Sequence, residues 1–205
     1  MKPQIPKKQI WINIEGGGQN RSQQIEFREG LEVFFREFKE KVSFRIIPGG
    51  SKDNTVSDFK ATLASSETAF VVLVVDSDQD VPAKVNYRQF LQTSNPSWNL
   101  PELPDEHYHM MVQVMEAWFL ADREALRTHY GQRFRENALP SHSKVEQVPK
   151  NDIYHGMEAA TRETTKGVYQ KRKHSAGILK LLDRNRVCAA APHCKRLFDV
   201  LEAHC

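Results

Sequence analysis

The chain alternates between short apolar runs and longer amphipathic stretches over residues 10–130. Apolar runs of strand length predict β-strands at 10–14, 43–47 and 69–75, and a further strand is expected at 107–115. Apolar positions that recur three and four residues apart, together with capping residues such as Asp53 or Asn54, predict helices between these strands. The predicted helices cover residues 20–42, 54–64, 84–93 and 116–129.

This order of elements predicts an α/β fold. The run Ala69 to Val75 is continuous and rich in β-branched residues, as expected of a strand covered by helices on both faces. Alternation of strands and helices favours a mainly parallel sheet flanked by helices. Residues 1–130 would form this core, and residues 131–205 an irregular and helical C-terminal extension packed on it. Helices in the extension are expected near 152–163, 176–182 and 195–203.

Composition is that of an ordinary globular protein, with 205 residues, 40% hydrophobic and 27% charged. Ten Gly, ten Pro and three Cys exclude collagen-like, disordered and disulfide-scaffold classes. No apolar run approaches the roughly 18 residues of a membrane span, and no apolar signal core follows the basic start, so we expect a cytoplasmic protein without a membrane partner. The odd number of cysteines favours reduced thiols. A net charge of +3 is mildly basic and leaves room for a local basic face.

Acidic residues follow three of the predicted strands. Glu15 comes after the first strand, Asp76 and Asp78 after the third, and Glu116 after the fourth. Ligands of open α/β sheets bind outside the carboxyl ends of parallel strands, so these side chains are candidates for one site. Carboxylates this close would repel each other, and a hard divalent cation such as Mg²⁺ or Mn²⁺ removes the conflict.

A purely structural interpretation of the same residues stays open. Asp and Gly are common in turns and helix caps, which follow strands in most folds. Glu116 is expected to begin a helix, where the helix dipole favours a carboxylate without any metal. Either interpretation is compatible with Gly16 and Gly17, which permit close backbone approach by a substrate.

Several segments resemble a known group of proteins. Glu15-Gly16-Gly17 and Val75-Asp76-Ser77-Asp78 look like the two signature segments of the Toprim fold, which serves topoisomerases, primases and OLD-type nucleases. The string Met115-Glu116-Ala117-Trp118-Phe119-Leu120-Ala121-Asp122 is more specific. Together with Leu139-Pro140, Val148-Pro149-Lys150 and Tyr169-x-Lys171, it resembles an uncharacterised bacterial Toprim-like family. This resemblance spans about residues 10 to 200.

The resemblance implies a Toprim-like, Rossmann-like sheet and a metal-dependent nuclease. Glu15, Asp76 and Asp78 would be catalytic and bind Mg²⁺ or Mn²⁺, and Glu116 would be an additional ligand. The substrate would be DNA or RNA. Members often lie beside ATPase genes in phage-defence islands, which implies an AAA- or ABC-type ATPase partner and a role in antiviral defence. Assembly into a homo-oligomer is left open.

A basic cluster in the second half of the chain is a candidate for substrate contacts. Lys171, Lys173 and His174 belong to it, and Tyr169 precedes them. One interpretation is a solvated loop before a helix, which is common for runs of charge. The other is contact with the phosphates of a nucleic acid, with Gly16 and Gly17 on the same substrate.

Two functions from different classes remain open. The first is the metal-dependent nuclease. The second is a catalytically inactive Toprim-like module that binds a partner ATPase or nucleic acid. The second is favoured by the absence of the further acidic residue that many Toprim proteins carry a few positions after Glu-Gly, where this chain has Gly18, Gln19 and Asn20.

Overall fold

A computed structural model of the protein describes residues 8–141 and 143–205. Its centre is a four-stranded, fully parallel sheet with strand order β2-β1-β3-β4. The strands are β1 (Gln9–Ile14), β2 (Ser43–Pro48), β3 (Phe70–Asp76) and β4 (Tyr108–Met111). The predicted α/β class with a parallel sheet is therefore confirmed.

Ten α-helices surround the sheet in the described part of the chain. Five lie between consecutive strands or directly after β4 along the chain: α1 (Arg21–Phe34), α2 (Arg36–Lys41), α3 (Lys52–Ser65), α4 (Tyr87–Ser94) and α5 (Glu116–Ala121). Five more complete the chain: α6 (Arg123–Tyr130), α7 (Lys150–Thr161), α8 (Lys171–Leu179), α9 (Arg184–Ala190) and α10 (Pro192–Ala203). None of the helices among the described residues is both long and apolar enough to cross a membrane.

The two faces of the sheet are covered by different elements, as the two-residue period of a strand requires. Ile10, Ile12 and Ile14 of β1 belong to a buried cluster with the phenylalanines of α1 and α2. On β3, Val71, Leu73 and Val75 lie in a second cluster, which includes Phe59 of α3. Burial of both faces explains why β3 is apolar throughout.

The C-terminal helices share the first of these clusters. Leu197, Phe198 and Leu201 of α10 are buried with the β1 isoleucines. Helix α8 lies against α1, and Gly30 permits this contact because a Cβ there would be 2.7 Å from the carbonyl oxygen of Ala176. One apolar core thus contains residues from both parts of the chain.

Three of the expected elements differ in extent. The helix expected at 20–42 is two helices that meet at Phe35, and the helix expected at 116–129 is interrupted at Asp122, whose carboxylate caps α6. The strand expected at 107–115 ends at Met111. A turn that includes a cis peptide bond between Val112 and Gln113 leads from it to α5.

The basic segment was expected to include a loop before a helix that begins near residue 176. It is helical from Lys171 instead, and α8 ends at Leu179. A further helix, α9, was not predicted at all. Both differences lie in the C-terminal extension.

Candidate functional site

The carboxyl ends of β1 and β3 bring two of the acidic residues into contact. The strands are hydrogen-bonded neighbours, and the backbone N–H of Asp76 donates to Oε2 of Glu15 over 2.9 Å. Burial, and then the negative charge of Asp76, raise the pKa of Glu15 from about 4.5 to about 8. Glu15 therefore carries a proton at neutral pH in the metal-free protein.

Asp76 is held by contacts from two other elements. Its side chain is almost fully buried, and Oδ1 accepts a hydrogen bond of 2.8 Å from the backbone N–H of Met115, just before α5. Oδ2 accepts a hydrogen bond of 2.8 Å from Nζ of Lys171, the first residue of α8. The Asp76 carboxylate therefore links the end of β3 to the starts of α5 and α8.

Glu116 lies at the same edge and is completely buried. The hydroxyl of Tyr169 donates to its Oε1 over 2.7 Å, and Nζ of Lys171 is 3.3 Å from its Oε2. This second oxygen accepts no hydrogen bond from the described residues. Burial raises the pKa of Glu116, although Lys171 opposes that rise. A carboxylate at a helix start that faced solvent would have neither the full burial nor the raised pKa of Glu116.

Lys171 supplies the positive charge between these carboxylates. Burial alone would lower its pKa, but the charges of Asp76 and Glu116 outweigh burial and raise the pKa well above its ordinary value. Lys171 is therefore a permanent cation at the place where Asp76 and Glu116 come closest.

Asp78 has different partners. Its φ of 58° places it in the left-handed region, and its backbone N–H donates to the carbonyl oxygen of Gln113 over 2.8 Å. The carboxylate contacts Lys52 at the start of α3 and lies 3.2 Å from Nζ of Lys150 at the start of α7. Partial burial favours a higher pKa, but the two lysines outweigh it and lower the pKa of Asp78.

A cavity of about 240 Å³ adjoins this acidic cluster. Gly16 and Gly50 exchange two backbone hydrogen bonds of 2.9 and 3.1 Å beside it, which joins the loop after β1 to the loop after β2. Both glycines have positive φ, and a Cβ on Gly50 would lie 2.5 Å from the carbonyl oxygen of Gly18. The residues lining the cavity include Glu15, Gly16, Gly17, Gln19, Gln23, Ser51, Lys171, Arg172 and Ser175.

The predicted substrate contacts divide into two groups. Gly16, Gly17 and Lys171 line the cavity, as a contact with substrate requires. Lys173 is exposed and does not line it. His174 does not line the cavity: it is buried, and its Nδ1 lies 3.0 Å from the Tyr130 hydroxyl.

Sequence reasoning missed three residues that complete the site. Lys52 contacts Asp78, and its charge also lowers the pKa of Glu15. Lys150 and Tyr154 lie four residues apart on α7. Burial raises the pKa of Tyr154. The charges of Glu116 and Asp76 raise this pKa further, and the charge of Lys171 lowers it. The four-residue spacing on a helix was a usable signal, whereas nothing in the sequence placed Lys52.

The cluster as it stands is neutralised by lysines. Four carboxyl groups, from Glu15, Asp76, Asp78 and Glu116, face three ammonium groups. Within residues 8–141 and 143–205, no three His, Cys, Asp or Glu side chains are arranged to hold a metal ion. The donor chemistry still fits a hard cation, because carboxylate oxygens predominate and Oε2 of Glu116 lacks a hydrogen-bond donor.

Comparison with protein-family models decides the family. Residues 14–202 match the model of the domain of unknown function DUF4276. The chain belongs to this family. The matched region begins at the end of β1 and contains all the residues of the acidic cluster. Neither the curated proteins nor the solved structures gave a match.

Proposed function

We propose that this DUF4276 protein is a metal-dependent phosphodiesterase that cleaves DNA or RNA. The observation that carries the proposal is the clustering of Glu15 and Asp76, at the ends of β1 and β3, with Glu116 at the start of α5, where Lys171 contacts both Asp76 and Glu116. Buried carboxylates without matching donors are costly unless a cation joins them, and they are concentrated at functional sites.

Asp76, Glu116 and Glu15 would hold Mg²⁺ or Mn²⁺, while Asp78 pairs with Lys52 and Lys150. When bound, the ion would polarise the scissile phosphate and stabilise negative charge on the leaving oxygen. The ammonium group of Lys171 would leave Asp76 and Glu116 and contact a phosphate oxygen instead. Its side chain is 32% exposed, so this movement needs no opening of the core.

Glu15 is suited to proton transfer. In the metal-free protein the pKa of about 8 keeps Glu15 mostly protonated at neutral pH. A cation bound beside it would lower that pKa, so that Glu15 could release its proton during the reaction. Its carboxyl group lines the cavity, where a phosphodiester would bind. The resemblance extends the proposal to a partner ATPase, a role in phage defence and a cytoplasmic location.

The test combines Mn²⁺ binding by calorimetry with cleavage of labelled single-stranded and double-stranded DNA and RNA. We expect Asp76→Asn and Glu116→Gln each to lower Mn²⁺ affinity and turnover at least tenfold, the scale seen when a metal's shell loses one member. Glu163→Gln is the matched control, because Glu163 is exposed and its ion pair among the described residues is with Arg135 on the surface. Wild-type Mn²⁺ affinity and cleavage in both site variants would contradict the proposal.

A second candidate is a module that binds its partner without cleavage. The specific observation favouring it is Lys171, which already supplies a positive charge to Asp76 and Glu116. The Lys171→Met variant separates the candidates. In the phosphodiesterase, removing this competing cation should increase the thermal stabilisation by Mn²⁺. In the binding module, the variant should be destabilised and Mn²⁺ should restore nothing.

A further inference from the structure

A second concave surface lies on the outer side of the sheet, between α1 and the edge strand β2. This arginine groove has a volume of about 300 Å³. Its lining consists of Arg21, Gln24, Ile25, Arg28, Arg45, Ile46, Ile47 and Pro48. Three of these residues are arginines, and none is acidic. The strand order makes β2 an edge strand, so this side of the groove is not covered by another strand of the sheet.

The α1 residues of the groove share one face of the helix. Arg21, Gln24, Ile25 and Arg28 are spaced at i, i+3, i+4 and i+7, which is the repeat of a single helical stripe. Such a stripe normally carries the apolar face of a helix toward the core. Here it carries two arginines, while Ile25 is 37% exposed. The buried face of α1 is formed by other residues, Phe27, Leu31 and Phe34 among them.

The three arginines have no counter-charge in the described part of the chain. Arg21 and Arg28 form no ion pair or side-chain hydrogen bond there, and Arg45 contacts only the ring of Trp11, with its guanidinium 5.1 Å from the ring centre. Among the other arginines of the same residues, Arg127 and Arg184 are each paired with two carboxylates, whereas Arg36, Arg133 and Arg162 also form no ion pair. What distinguishes Arg21, Arg28 and Arg45 is that they line one groove. A charged edge strand also discourages pairing between molecules. Protection of the edge strand accounts for Arg45 on β2, but it does not explain why Arg21 and Arg28 of α1 line the same groove.

The groove lies next to the candidate active site, because a Cβ on Gly17, which lines the cavity, would be 3.1 Å from Cβ of Pro48, which lines the groove. Gly18 and Gly50 line the cavity beside Glu15, whereas Arg21 and Pro48, two or three residues away along the chain, line the groove. Asn20 caps α1 between the two regions. A ligand leaving the cavity over the Gly16–Gly50 contact therefore reaches the start of α1 and then the three arginines.

We infer that the arginine groove binds the sugar-phosphate backbone of a single-stranded nucleic acid whose cleaved bond lies at the acidic cluster. The inference rests on the proposed function, because a phosphodiester substrate is what brings a polyanion to this edge of the sheet. Arg21 and Arg28 are separated by seven residues, or about 10 Å along the helix. At about 3.4 Å per stacked nucleotide, this distance spans roughly three nucleotides. Ile25 provides an apolar contact for a sugar or base between them.

The experiment measures binding without catalysis. A fluorescein-labelled 12-nucleotide single strand, (dT)12 or (rU)12, is titrated with protein in EDTA and followed by anisotropy at several salt concentrations. We expect the triple variant R21A/R28A/R45A to bind at least tenfold more weakly than the wild type. The slope of log K against log salt should be smaller by about 2, since each phosphate contact on a single strand contributes about 0.7.

The matched control is R36A/R133A/R162A, which removes three exposed arginines that lie outside the groove and form no ion pair among the described residues. The control should bind like the wild type, and thermal melts should show all three proteins folded. Equal binding by the groove variant and the control overturns the inference. So does binding of a poly-glutamate peptide by the wild type without binding of (dT)12 or (rU)12.

The proposed function has a separate outcome. Cleavage by the wild type with Mn²⁺, combined with unchanged binding by the groove variant, would retain the phosphodiesterase and reject the groove. Salt-dependent binding lost in the groove variant, without cleavage by the wild type, would retain the groove and reject the phosphodiesterase in favour of a binding module.

Discussion

Lys171 changes the chemistry expected of the strand-end carboxylates. The sequence pattern predicts negative charges that need a metal, whereas the folded chain places an ammonium group 2.8 Å from Asp76 and 3.3 Å from Glu116. Glu15 lies outside this pairing and relieves the repulsion by taking up a proton instead. The metal-free site is thus stabilised in two ways, by the positive charge of Lys171 and by protonation of Glu15, and each can be tested by substituting that residue.

Glu15→Gln should change how stability depends on pH. The folded-state pKa of about 8 lies above the ordinary value of 4.5, so the folded protein retains a proton that the unfolded chain releases between these pH values. The contribution of Glu15 to stability therefore falls as pH rises from about 4.5 to about 8. In EDTA, urea unfolding at pH 5, 6, 7 and 8 should show this decline in the wild type relative to Glu15→Gln. A constant difference between the two proteins across the range would show that Glu15 titrates normally.

At the scale of elements, local sequence signals predicted the strands better than the helices. The runs that became β1 and β3 are largely apolar, β2 has apolar residues on both sides of Arg45, and Gly or Asp comes near the end of each run. Pattern and structure therefore agree to within a residue or so. The break between α1 and α2 occurs at Phe35, where no Gly or Pro marks it. The ring of Phe35 packs against Phe34, Phe44 and Phe198, and a single sequence does not display these contacts.

The start of α8 was unpredictable for a physical reason. Lys171, Arg172 and Lys173 are cations in the first turn, which the helix dipole disfavours, and Gln170 makes no capping hydrogen bond with its side chain. Packing compensates, because Ile178 and Leu179 are fully buried. The position of Lys171 in the site follows from that packing. The Tyr169-x-Lys171 motif pointed to Lys171, but the contacts of Lys171 with Asp76 and Glu116 depend on the fold.

Gly50→Ala should be more destabilising than Gly131→Ala. The two glycines have similar positive φ values, 73° and 66°, which alanine disfavours, so both substitutions introduce backbone strain. Only at Gly50 would the added Cβ meet backbone, 2.5 Å from the carbonyl oxygen of Gly18, whereas nothing lies within 4 Å at Gly131. We expect urea unfolding to show a loss at least about 1 kcal/mol larger for Gly50→Ala, on the scale of overpacking. Equal losses would mean that the loops adjust freely around the Gly16–Gly50 contact.

At the scale of the whole molecule, the boundary expected at residue 130 separates segments that share one core. The ring of Phe198 on α10 is completely buried. Its centre lies 5.4 Å from that of Phe34, 5.1 Å from Phe35 and 5.7 Å from Phe38. The acidic site also combines both parts of the chain, since Lys171 and Tyr169 come from the C-terminal extension and Glu15 and Asp76 from the sheet. Core and extension therefore form the site together.

Phe198→Ala tests whether they also unfold together. Removing a buried phenylalanine costs about 3–5 kcal/mol, because apolar burial is lost and a cavity remains. If the core is shared, that loss applies to the sheet as much as to α10. Urea unfolding should remain a single transition at lower denaturant, and hydrogen exchange should show amides of β1 losing protection in parallel with those of α10. Phe134→Ala, at a partly buried ring, is the control and should cost less. Loss of protection in α10 with β1 unchanged would instead establish the extension as a separate folding unit, and Lys171 would then join the acidic cluster only after the sheet has formed.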